Sequence, residues 1–114
     1  MNKESSISLI KLDNFNKEVL EEKKPILLLC MTRNDEFQQQ MGVIEDISKK
    51  YGEELKIGLI DEEFIGVFKQ KFNIKGTPTF LIFVKGQEKS RMLGEGDQKT
   101  LKEFLLRTLK LFKR

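Results

Sequence analysis

A chain of 114 residues, 39% hydrophobic and 34% charged, is long enough for one compact domain and too short for two. Its 21 basic and 18 acidic residues are interspersed and leave a formal charge of +3, which gives neither nucleic acid nor an anionic membrane a strong field to bind. One cysteine, Cys30, and no histidine exclude an intramolecular disulfide, the usual metal sites and serine-histidine chemistry.

No apolar run approaches the roughly 18 residues of a membrane span, and Met1-Asn-Lys-Glu-Ser-Ser precedes no signal-peptide core. A cytoplasmic protein without cofactor is therefore expected. Ile7, Leu9 and Leu12 alternate loosely with polar residues and predict a short first strand. Asp13 then offers an oxygen to cap a helix beginning near Asn14 or Phe15, with Phe15, Val19 and Leu20 as its apolar stripe. Pro25 stops that helix, and the apolar run from Ile26 to Met31 is short enough to be a central strand.

After Thr32, Arg33, Asn34 and Asp35, apolar residues recur at helical spacing through Phe37, Met41, Ile44 and Ile47, with Ser48 on the same stripe. Gly52 reads as the C-cap. Leu55 to Ile60 predicts a third strand, and a short helix from Asp61 carries Phe64, Val67 and Phe68. The stretch from Phe72 to Gly86 joins a helix end, a turn at Gly76, Thr77 and Pro78, and an apolar strand from Thr79 to Val84. Proline has no N–H to give a ladder, so Pro78 belongs in the turn rather than in mid-strand. A Lys-Gly-Gln connection then returns Glu88 to Leu93 as a hairpin strand, which Gly94 and Gly96 end. The last segment, Gln98 to Lys113, places Leu101, Phe104, Leu105, Thr108 and Leu109 on one helical face. Arg107, Lys110, Lys113 and Arg114 make its end basic, which suits the negative end of the helix dipole.

The run Ile74-x-Gly-x-Pro-Thr, followed by an apolar strand and a Lys-Gly turn, resembles the proline loop of the thioredoxin family. Asp13-Asn-Phe, the segment Ile44 to Leu55, and Gly94 resemble further landmarks of that family, over about residues 7–111. The resemblance implies an α/β thioredoxin fold in the order βαβαβαββα. Its mixed five-stranded sheet would run first-third-second-fourth-fifth strand and be flanked by four helices, with residues 1–114 as a single domain. It also implies a cis Thr77–Pro78 bond and a groove in which Thr77, Pro78 and Gly94 hold an extended peptide.

The family's Cys-x-x-Cys falls here on Asn34, Asp35, Glu36 and Phe37, or one residue later, and no thiol is present. Asp35 and Glu36 instead suit the electropositive start of a helix as caps. The position of the family's buried acidic residue falls on Leu28 or Leu29, and the tryptophan flanking its motif is missing. Dithiol oxidoreductase activity is therefore not expected. Cys30, inside an apolar run, reads as a small buried hydrophobe. The functional expectation is a redox-inactive protein, monomeric or a weak dimer, that binds a protein or extended peptide. The alternative is a single-cysteine oxidoreductase or redox sensor acting through Cys30, with Arg33 as its electropositive neighbour. An assembly module using its sheet edge or lysine-rich last helix fits the same fold.

Overall fold

Apolar runs and alternating apolar residues favour strands, and a tight turn returns a fifth, more polar strand along the sheet edge. In the computed structural model, which describes residues 6–109, these are β1 (Ile7–Ile10), β2 (Ile26–Cys30), β3 (Lys56–Ile60), β4 (Thr79–Val84) and β5 (Gln87–Leu93). They make one mixed sheet in the order β1-β3-β2-β4-β5. β1 and β2 run parallel to β3, β4 runs antiparallel to β2, and β5 antiparallel to β4. Every residue of β2 is buried, as a strand covered on both faces requires.

Alternation along the strands divides the core in two. Leu28 and Cys30 face a cluster with Ile10, Phe15, Val19, Phe68 and Phe83, while Leu27 and Leu29 face one with Ile44, Ile47, Phe80, Leu101 and Phe104. The first layer is closed by a π-helical turn at Asn16–Leu20 and by α2 (Ile65–Lys71), which follows a 3-10 turn at Glu62–Phe64. The second is closed by α1 (Phe37–Tyr51) and α3 (Gln98–Leu109). The sheet with its four flanking helical segments is the expected α/β arrangement. None of the described helices is long and apolar enough to cross a membrane.

Local windings correct several expectations. The π-helical turn closes with Glu21 N–H on Asn16 O, and this wider winding carries Leu20 off the stripe to 37% exposure. Val67 is likewise exposed, because the tighter 3-10 turn before α2 rotates Ile65 and Phe68 onto the core instead. Asn14, not Asp13, makes the side-chain bonds ahead of the first turn. Its Oδ1 accepts from Lys11 N–H at 2.7 Å and its Nδ2 donates to Leu9 O at 2.9 Å, a pairing that a carboxylate, lacking a donor, cannot make. Gly52 does end α1, but with a right-handed φ of −62° rather than a left-handed cap. The hairpin between β4 and β5 turns on two residues, Lys85 and Gly86, both at positive φ as a primed turn requires. Lys110, Lys113 and Arg114 lie outside the described residues, and Arg107 is exposed.

At the N-terminal end of β3, Lys56 Nζ donates to Glu18 Oε1 at 2.7 Å, Glu18 O at 2.8 Å and Glu22 Oε1 at 3.1 Å. Burial pushes the Lys56 ammonium down, but the two carboxylates outweigh it and hold it above the ordinary lysine value. Glu22 is held below the usual carboxylate value by the Lys24 N–H and, against burial, by Lys56. A depressed Glu22 adds stability above its unfolded pKa and loses it as pH falls through the folded value. The raised Lys56 adds stability that is lost only as pH rises through its own folded value, beyond the ordinary lysine range. Lys56→Met is therefore expected to cost about 1 to 2 kcal/mol at pH 7 and to shrink the stability loss between roughly pH 5 and 2, read by urea titration at each pH. An unchanged acid limb would show that this cluster does not carry the linkage.

Candidate functional site

The register of the sheet brings three loops to one end. Thr79, the first residue of β4, lies opposite Cys30, the last of β2, and opposite Leu93, the last of β5. The chain leaving β2, the turn leading into β4 and the chain leaving β5 therefore meet. The Thr77–Pro78 peptide bond is cis. Gly94 N–H donates to Pro78 O at 2.8 Å, and Thr79 Oγ1 donates to Gly76 O at 2.6 Å, so turn and loop are tied together. Gly94 sits at φ +113°, a conformation that favours glycine. Thr77, between these anchors, has neither its N–H nor its C=O bonded to any described residue. Leu93 beside it is 63% exposed.

The loop after β2 is shaped by Asn34 rather than by the carboxylates that follow it. Asn34 Oδ1 accepts from Glu36 N–H at 3.1 Å, and Asn34 O accepts from Phe37 N–H at 3.1 Å. Asp35 and Glu36 are exposed, and Glu36, the N-cap of α1, makes no side-chain cap. This corrects the expectation that they cap the helix. Glu36 already has helical φ and ψ of −86° and −4°, so its carboxylate is not placed over the N–H groups that follow. Arg33 is committed locally: its guanidinium donates to Met31 O at 2.6 Å and Ile60 O at 3.1 Å, and stands 4.6 Å from the Phe37 ring centroid. It ties the ends of β2 and β3 to the first turn of α1.

Gln40 is the residue that reading the sequence missed. It is 4% exposed, its Nε2 donates to Gly96 O at 2.8 Å, and Gly96 N–H donates to its Oε1 at 3.0 Å. One side-chain amide thus satisfies both backbone groups of a buried glycine and fixes the loop after β5 against α1. Its only signal in the sequence is its place one turn before Ile44 on the apolar stripe. Gly96 admits no larger residue, since a Cβ there would lie 2.6 Å from Leu101 Cγ. Asp97 then starts α3, accepting Thr100 N–H at 2.8 Å, and this bond holds its carboxyl below the usual range.

Cys30 does not join this group. Its side chain belongs to the core layer of Leu28 and Phe68, it is 0% exposed, and burial pushes its thiol up against the smaller pull of the Lys69 and Arg33 charges. Leu28 and Leu29, where the resemblance puts an acidic residue, are both fully buried. Alkylation of Cys30 in the folded protein is expected to be at least tenfold slower than in urea at every pH from 6 to 9. Equal rates in the two states would mean that the core opens readily around it.

The arrangement offers an unpaired strand-like edge, an exposed leucine and a helix start without a thiol. Among the described residues, no group of three or more aspartate, glutamate, cysteine or histidine side chains could hold a metal. A family model described as Thioredoxin matches residues 6–107. No curated protein matches the chain.

Proposed function

The chain belongs to the thioredoxin family, and we propose that it acts there as a binding protein, holding an extended segment of a partner along Thr77, Pro78 and Gly94 without redox turnover. The observation that carries this reading is Thr77, whose backbone N–H and C=O bond to no described residue where the turn enters β4. An extended peptide can supply both partners in the manner of strand addition, with the exposed Leu93 close by for side-chain fit. Redox inactivity is supported by Asn34, Asp35, Glu36 and Phe37, none of them a thiol, and by the burial of Cys30. The same burial argues against a single-cysteine oxidoreductase.

Panning a display library of random heptapeptides on the folded protein, then titrating selected peptides into labelled protein, tests the reading. The Thr77 and Gly94 amides are expected to shift most. The triple variant T77A/P78A/G94V and the milder Leu93→Ser are each expected to weaken binding at least tenfold. Shifts confined to another face, or unchanged affinity in both variants, would overturn it.

A further inference from the structure

The groove's charge deepens that reading and rests on it: we propose that the bound segment is basic, presenting a lysine or arginine beside an apolar residue. The apolar side is Leu93, 63% exposed, next to the unpaired backbone of Thr77. Two residues further on, Glu95 lines a pocket of about 80 Å³ together with Glu36 and Asp97, between the start of α1 and the loop after β5. Gln40 ties the two segments together, because its side-chain amide binds Gly96 while its backbone N–H donates to Glu36 O at 3.0 Å.

Nothing described in the chain satisfies the carboxylates of Glu36 and Glu95. The side-chain carboxylates of Asp35, Glu36 and Glu95 accept no hydrogen bond and form no ion pair with any described residue, whereas Asp97 is engaged by Thr100 and by the Lys99 charge. Of the described cations at this end, Arg33 is spent on two carbonyls and the Phe37 ring, Lys69 acts on the Cys30 thiol, and Lys75 is exposed ahead of the proline turn; none of them forms an ion pair with Glu36 or Glu95. This acidic wall stands in a chain whose formal charge is +3, so overall composition does not explain it. An ammonium or guanidinium carried by an extended segment pinned at Thr77 and Leu93 would gain two free carboxylates, and an acidic segment would be repelled.

The heptapeptides selected on the folded protein give the test. Lysine or arginine is expected to be enriched at least about threefold over the input at one position near an apolar residue, with binding falling several-fold between 50 and 500 mM salt. The double variant E36K/E95K, which breaks no hydrogen bond made by either carboxylate, is expected to select aspartate or glutamate there instead. Binders that shift Thr77 but show neither basic enrichment nor salt dependence would overturn the charge inference alone. Basic enrichment that survives in a folded E36K/E95K would also overturn it. A library that yields no binders, or only binders that leave Thr77 and Gly94 unshifted, would overturn both readings. If E36K/E95K does not fold, the salt dependence and enrichment on the native protein decide.

Discussion

Phe68→Ala is expected to lower the stability of the folded chain by about 3 to 5 kcal/mol, a large share of the roughly 5 to 15 kcal/mol that holds a domain together. Phe68 is 0% exposed and is the aromatic centre of the layer closed by α2. Its ring centroid lies 5.4 Å from Phe15 and 5.9 Å from Phe72, with which it stacks at an interplanar angle of 2°. Truncation removes the transfer energy of the ring and leaves a void that packed neighbours on the sheet cannot collapse to fill. At about 4 to 8 °C per kcal/mol for a domain near this size, the melting temperature should drop by roughly 12 to 40 °C. Phe68→Leu, which restores most of the volume, should recover more than half of the loss. A decrease under about 2 kcal/mol for the alanine variant would show that the layer relaxes around the gap.

Gln40→Ala is expected to cost about 2 to 4 kcal/mol, because it strands two buried backbone groups of Gly96 at once. Gln40→Met separates hydrogen bonding from volume: it fills the same space and pairs with neither group. The methionine variant should therefore be nearly as destabilised as the alanine one, with amide exchange at Gly96 accelerated by at least tenfold. Stability within about 1 kcal/mol of the wild type would mean that water replaces the amide without cost. Loosening this loop also moves Gly94 and Glu95, so peptide binding should weaken more than the stability loss alone accounts for. That divergence separates a positioning role from a purely structural one.

What was legible in the sequence was whatever depends on neighbours in the chain. A short apolar run marked β2, a β-branched and aromatic run marked β4, apolar spacing marked α1 and α3, and the Gly-Thr-Pro turn marked the strand start that brings the three loops to one end. These are local consequences of backbone preference and periodicity. The absence of a thiol at residues 34–37 was equally plain, since it is a matter of composition.

The polar bonds that build the site were not legible, because their partners lie far away in the chain. Gln40 and Gly96 are separated by 56 residues, Lys56 and Glu18 by 38, and Arg33 and Ile60 by 27. Polar residues on a helix or loop look solvated until the fold shows what covers them. Winding mattered in the same way: the π and 3-10 turns decided that Leu20 and Val67 face out while Ile65 faces in. The sequence by itself determined the sheet, its helices and the loss of the dithiol, because short-range preference and hydrophobic burial specify those. Only the tertiary structure decided that Gln40 closes on Gly96, that Thr77 stands unpaired and that Glu36 and Glu95 line one pocket. Burial and long-range pairing exist only once the chain has closed on itself.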